Sequence, residues 1–365
     1  MLQIYTLEPG SHLWSPPSLD CIQGSLYGLA LGDALGGPHE PYQSKYTYTG
    51  IIEHPIKRHT QWQGTKISAI GQVTDDTEMT ITLAKVLISN NGYNRDAAIF
   101  AYETWASQPR TMLGYTTGAL FSGITTKVPS KGVKTYETRY KKALAGNLKK
   151  LPRKNLVDVQ SNGSLMRCSP FIVIPGYESI TVDTNLTNPN PINLDVNYLY
   201  VSSLQQLSLI SNTVDSISKV QELYNWLQAS AQTSSVRQLF LDIEQNIPRD
   251  ITGKDKGWVL HAFWCCLFSL RMLISGSSFK NILDTIILMG GDTDTNGAIV
   301  GAMIGSYFGY ETMVSDPTTE YNIKKIKSIT SDVTATGDWP RDSAYTADNL
   351  DNIAQGLYNL GLSFI

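Results

Sequence analysis

Two short acidic runs, far apart in the chain, hold the side chains best suited to chemistry. The run Met289-Gly290-Gly291-Asp292-Thr293-Asp294-Thr295-Asn296-Gly297 reads as a glycine-lined turn leading into a helix. Asp292 and Asp294 are too close in sequence to share a helix face, but on a turn both can converge on one point. Carboxylates crowded in this way repel unless a cation or a proton intervenes, and hard oxygen ligands suit Mg²⁺, Ca²⁺ or Mn²⁺. The plainer alternative is that Asp292 or Thr293 turns the chain and Thr295 caps the helix. The second run is Gly71-Gln72-Val73-Thr74-Asp75-Asp76-Thr77-Glu78, also at a helix start. Here a capping box, with Asp75 as N-cap and Glu78 three residues on, accounts for one Asp and the Glu. It does not require Thr74, Asp75 and Asp76 in succession. If the runs meet, Thr74, Asp75, Asp76, Asp292, Asp294 and Thr295 offer enough oxygen ligands for two cations that share bridging carboxylates and keep some waters.

Other segments add to this pair. Gly32-Asp33-Ala34-Leu35-Gly36 precedes Glu40. Gln160-Ser161-Asn162-Gly163-Ser164 is a turn whose backbone N–H groups suit phosphates, followed by Leu165-Met166-Arg167. Arg167 is placed to pin that loop from behind or to pair with a carboxylate. Gly257-Trp258-Val259 opens an apolar helix, and Trp258 is either a core residue or a face on which a planar ring can stack. In this order and over roughly residues 20 to 310, these segments resemble the ADP-ribosylglycohydrolase family, which includes the dinitrogenase-reductase-activating glycohydrolase. The paired Asp/Thr motifs are specific, whereas Gly-Asp-Ala-Leu-Gly alone is weak.

The resemblance implies a divalent-metal-dependent hydrolase that cleaves a glycosidic bond of ADP-ribose on a protein or other acceptor. It implies two Mg²⁺ (or Mn²⁺), catalytic roles for Glu40, Asp75 and Asp294, and a monomer. It also implies that Gly114, Ser161, Asn162, Gly163, Ser164, Asn188 and Trp258 bind the substrate. Two positions depart from the family pattern. Met112 stands where the arginine-specific branch has an Asp, and Asn188 replaces the His of a Thr-His-Pro with a side chain that cannot titrate near neutral pH. These departures leave a non-catalytic ADP-ribose-binding relative in view, and two oxygen-ligated metals would equally serve a phosphohydrolase. His39 is read as incidental.

The elements that must position these groups are helical. Ser18 is a plausible N-cap for a first helix running to Leu35. That helix carries Gly24, Gly28, Gly32 and Gly36, and the helix after Thr295 carries Gly297, Gly301, Gly305 and Gly309. Glycine costs about 1 kcal/mol in a helix interior, so two such stripes predict that the helices pack stripe to stripe at the protein centre. Further helices are expected over Asp76–Ser89, Arg95–Ser107 (capped by Asn94), 194–228, 236–245, 257–270 and Ala347–Leu360, with loops and short extended pieces over 42–72. Helical periodicity dominates, so the expected fold is an all-α single compact multi-helix bundle, residues 18–365, behind a proline-rich surface arm, residues 1–17.

Composition bounds the rest. The chain has 365 residues, 42% apolar and 17% charged, with net charge −3, which suits a globular core and argues against a general nucleic-acid binder. A basic insertion lies near 131–158, with Lys131, Lys134, Arg139, Lys141, Lys142, Lys149, Lys150, Arg153 and Lys154 against Glu137. A solvated helix face is favoured there over nucleic acid or an acidic partner, because aromatic interleaving stops at Tyr136 and Tyr140. The first 20 residues lack a signal-peptide pattern, and the longest apolar run is too short for a membrane span. The four cysteines have no zinc-type spacing and are read as reduced, so a cytoplasmic protein is expected.

Overall fold

The computed structural model describes residues 14–365 except 41–47, 61–63, 110–112, 125–126, 150, 152 and 212, and except the side chains of residues 59 and 60. Met112 therefore lies outside the described residues, as does most of the proline-rich arm. Where the arm becomes described it is already packed: Trp14 is buried and its indole donates to Gly361 O.

The described fold is helical apart from one antiparallel hairpin, β1 (Lys57–Thr60) and β2 (Gly64–Ile67), with Arg58 opposite Lys66. The helices are α1 (Leu19–Gly36), α2 (Asp75–Ser89), α3 (Arg95–Ala106), α4 (Tyr115–Phe121), α5 (Pro129–Leu144), α6 (Glu178–Thr187), α7 (Pro191–Ile210) and α8 (Ser216–Ser230). They continue with α9 (Ser234–Glu244), α10 (Val259–Ile274), α11 (Phe279–Leu288), α12 (Thr293–Val314), α13 (Pro317–Lys327), α14 (Ser331–Thr334) and α15 (Leu350–Leu362). Many start where the local sequence says they should. Ser18, Asn94, Asn190, Thr233, Ser278 and Asp316 each accept a first-turn N–H through the side chain.

One expected helix divides. The region 194–228 is two helices, α7 and α8, separated by Ser211–Asp215. α7 ends at Ile210, where Ser211 leaves helical geometry, and no glycine or proline announces the break.

α1 and α12 run antiparallel through the centre with their glycines face to face. A Cβ at Gly32 would lie 1.9 Å from Gly297 O, at Gly28 2.2 Å from Gly301 O, and at Gly24 2.3 Å from Gly305 O. Backbone meets backbone along the whole seam, so only glycine fits. The stripe ends at Gly36, whose Cβ would strike Thr293 O. This is the point where both helices deliver chain into the acidic site. At the far end α12 breaks at Gly309 (φ +72°), and Asp20 of α1 accepts the N–H of Glu311 just beyond. α15 packs against α1 and α2 through Ile353, Ala354 and Leu357, all buried. No helix among the described residues is long and apolar enough to cross a membrane.

The first part of the basic segment, through Lys142, is helix α5. Tyr136 is buried, stacks on Phe121 and Tyr140, and donates to Leu186 O. Lys131, Lys134, Lys141 and Lys142 lie on its exposed side, so the basic run is one face of an otherwise anchored helix.

Candidate metal centre and its adjoining loop

The two acidic runs meet. Gly290 and Gly291 both have positive φ (+78° and +82°), which turns the chain tightly enough to bring Asp292 to the N-cap of α12 and Asp294 into its first turn. Carboxylate oxygens of Glu40, Asp292 and Asp294 lie within 4.8 Å of one another. Asp294 and Thr295 are buried, and Asp292 is half-buried. Asp75 and Asp76 approach from α2. Burial, then the carboxylates of Asp33, Asp75 and Asp292, push the Asp76 carboxyl well up. Burial also drives Asp294 well up, helped by Glu40, Asp292 and Asp76. Asp292 is raised to about 6 by burial and Glu40, and Asp75 to about 7 by burial, with Asp33 and Asp292 adding to the rise and Arg58 opposing it.

The capping-box reading of α2 is corrected. The N-cap is Thr74, not Asp75, and its own side chain caps nothing. Asp33, on α1, supplies the cap. Its fully buried carboxylate accepts the N–H groups of Thr74 (3.0 Å) and Thr77 (3.2 Å) and both hydroxyls, at 2.8 Å and 2.5 Å. This leaves Asp75 and Asp76 available to the centre. Glu78 does not fold back onto the N-cap. It is buried and accepts from Trp105 Nε1 and Arg341 Nη2, both at 2.7 Å. Asp33 stands within the Gly32–Gly36 motif, where nothing in the local sequence marks it as a cap for a helix 41 residues on.

A divalent cation fits this donor set. Several carboxylates are buried together, every ligand offered is oxygen, and Asp76 Oδ1 is buried with no hydrogen-bond partner. Thr74 Oγ1 lies 3.0 Å from Asp76 Oδ2. Oxygen-only ligation suits Mg²⁺ or Mn²⁺ better than zinc.

The adjoining wall is the loop 160–164, paired with the start of α10. Ser161 bridges Trp258, Asn162 N–H donates to Gly257 O, and Val259 N–H donates to Gln160 O. Asn162 Nδ2 donates to Asp292 Oδ2 at 2.7 Å, tying the loop to the acidic centre. Gly257 lies against the same pair, since a Cβ there would be 3.3 Å from Asp292 Oδ2. Arg167 does both of its expected jobs. It is fully buried, donates to Gly163 O at 2.7 Å, and pairs with Asp183 at 2.9 Å. Trp258 is half-buried with its indole N–H on Gln160, so a ring face remains near the loop. Gly114, at the N-cap of α4, is exposed, and Thr117 of that helix lies beside Gly163.

Asn188 and Ser164 sit differently from the expectation of direct substrate contact. Asn188 has no exposed surface, and its amide donates to Ser161 O and Oγ. Ser164 is equally buried and accepts from Asn197. Both hold the loop from behind, and Ser161 and Gly163 are the partly exposed members.

The family model for ADP-ribosylglycohydrolase matches residues 15–337. This chain belongs to the ADP-ribosylglycohydrolase family. A protein of Acanthamoeba polyphaga mimivirus that carries ADP-ribosyl glycohydrolase as an inferred name is 23% identical over 319 residues, covering 80% of this chain and 88% of that one. A solved structure titled as an ADP-ribosylglycohydrolase-related protein complex superposes with a TM-score of 0.64 at 16% identity, covering 94% of this chain and 98% of the other. That likeness establishes the all-α ADP-ribosylglycohydrolase fold. The chain is thus a glycosyl hydrolase of the ADP-ribosylglycohydrolase kind, a class that hydrolyses ADP-ribose linkages.

Proposed function

We propose that this ADP-ribosylglycohydrolase cleaves the bond between the anomeric carbon of ADP-ribose and its acceptor, on a modified protein or small molecule, with two Mg²⁺ or Mn²⁺ ions. The observation that carries this reading is the convergence of Glu40, Asp292 and Asp294 within 4.8 Å, with Asp75 and Asp76 near enough for their charges to act on Asp292 and Asp294. Thr74, Asp75, Asp76, Asp292, Asp294 and Thr295 would hold the cations. Bound there, the ions would supply a water of lowered pKa and fix the ribose hydroxyls.

The protein's own groups do the rest. The loop Ser161–Ser164 and the Trp258 ring hold the ADP portion, with Arg167 and Asn188 keeping that loop rigid. Asn162, fixed to Asp292, sets the distance between the held ribose and the acidic centre. Glu40, beside Asp292 and Asp294, takes the proton from the attacking water through a carboxylate oxygen. The water oxygen bonds to the anomeric carbon, the acceptor departs with the bonding pair, and the proton passes to it. The transition state resembles an oxocarbenium ion, which the surrounding carboxylates favour. The four free, buried thiols support a cytoplasmic setting.

The test is product analysis with ADP-ribosylated arginine and serine peptides and O-acetyl-ADP-ribose. Intact ADP-ribose released from at least one supports the reading and names the linkage. Inorganic phosphate as the product would make the protein a phosphohydrolase. Binding of ADP-ribose with no release from any linkage would make it a reader.

A further inference from the structure

The hairpin β1–β2 brings a cation into the acidic centre. Arg58 Nη2 lies 3.4 Å from Glu40 Oε2 and 3.6 Å from Asp294 Oδ2. Asp75 and Asp292 also act on this guanidinium. Yet Arg58 is poorly bonded for a residue in such company. Its one close contact to Glu40 is long, and its Nε is buried with no acceptor. Arg167 shows what a structural arginine looks like in this protein: it is fully buried and donates to Asp183 at 2.9 Å and to Gly163 O at 2.7 Å. The Arg58 side chain is 35% exposed, and the facing strand β2 is mostly open to solvent. The guanidinium is held by the summed field of the carboxylates more than by directed bonds.

We propose that Arg58 is a tethered counter-ion that occupies the Glu40–Asp294 position in the metal-free enzyme and competes with the divalent cation for it. The inference rests on the metal centre described above. A guanidinium within 4 Å of the oxygens that ligate a divalent ion repels that ion, so one displaces the other. Cation binding then releases the Arg58 side chain and loosens the hairpin. Arg58 is a positioning residue: it keeps the carboxylates gathered while no ion is bound, and it lowers the affinity with which an ion is taken up.

The experiment titrates chelator-treated protein with Mn²⁺ alone by calorimetry, for wild type, Arg58→Gln and Arg58→Lys. Removing one competing charge is expected to tighten Mn²⁺ binding about tenfold in Arg58→Gln and to lower the melting temperature of its metal-free form. Arg58→Lys, which keeps the charge, is expected to stay close to wild type. A second measurement needs no variant. Tryptic cleavage after Arg58 should quicken when Mn²⁺ is added, against cleavage after the exposed Arg153 as internal control. Equal or weaker Mn²⁺ binding by Arg58→Gln, or cleavage that Mn²⁺ leaves unchanged or slows, overturns the role of Arg58 while leaving the metal centre standing. A wild type that binds no Mn²⁺ overturns the metal centre and the Arg58 inference together.

Discussion

The Asp33 carboxylate on α1 accepts both the backbone N–H and the hydroxyl of Thr74, at 3.0 Å and 2.8 Å. With the matching pair from Thr77, one buried side chain fixes the first turn of α2. Hydrogen bonds to a charged group contribute about 1.5–3 kcal/mol each, and buried donors left unpaired cost a similar amount. Asp33→Ala is therefore expected to destabilise the protein by at least about 3 kcal/mol, read by denaturant unfolding. Asp33→Asn, which keeps one carbonyl oxygen and the volume, should fold but weaken Mn²⁺ binding, because Asp75 and Asp76 lose their fixed register. Unaltered Mn²⁺ affinity in Asp33→Asn would separate this cap from the site.

The seam between α1 and α12 makes an unusual demand. Alanine normally stabilises a helix by about 1 kcal/mol over glycine. At Gly28 the added methyl would sit 2.2 Å from Gly301 O, and neither backbone can yield without moving a helix. Gly28→Ala is expected to lower stability by about 1–3 kcal/mol despite its better propensity. An increase in melting temperature would show that the helices do not pack this closely.

Glu103 on α3 should impose a pH dependence on stability. It is 2% exposed, and neither carboxylate oxygen has a hydrogen-bond partner. Burial raises its pKa from 4.5 to about 7, with Arg139 pulling partly the other way. Below about pH 4.5 the group is protonated in both folded and unfolded chains and costs nothing. As pH rises toward 7 the unfolded chain releases the proton first, so folding is penalised by an amount that grows and then levels off above 7. The full penalty is up to about 3 kcal/mol. Glu103→Gln should therefore raise the melting temperature at pH 8 and change it little at pH 4.5. Equal shifts at the two pH values would contradict this assignment.

Much of the fold could be read from local pattern. The four-residue spacing of Gly24, Gly28, Gly32 and Gly36, mirrored after Thr295, pointed to the central helix pair, and Ser18 and Asn94 marked helix starts that the structure keeps. The two acidic runs were visible because their Asp/Thr density exceeds what capping needs. What stayed hidden depends on contacts across long sequence separation. Asp33 caps a helix 41 residues away, and Lys256 reaches Glu40 from 216 residues away. Arg58 lies on a hairpin within 42–72, a stretch whose sequence reads as loops and short extended pieces with nothing to pair the two strands or aim them at the acidic centre. Asn188 stands at a position where substitution suggested a substrate contact, but its burial turns the amide inward onto Ser161. The break after Ile210 is hidden because neither glycine nor proline marks it and buried apolar residues at helical spacing stand on both sides, Leu204, Leu207 and Ile210 before it and Val220, Leu223 and Leu227 after it.

Hydrolysis is proposed to require a cation held by Asp292 and Asp294, with the Glu40 carboxylate beside them. The most direct measurement is ADP-ribose release by wild type and Asp294→Asn, each with Mn²⁺ and with EDTA, alongside the number of Mn²⁺ bound per chain. The account predicts release that EDTA abolishes and Mn²⁺ restores, with Asp294→Asn folded, binding less Mn²⁺ and at least about a hundredfold slower. Full activity in EDTA, or an Asp294→Asn enzyme as fast as wild type, would contradict it.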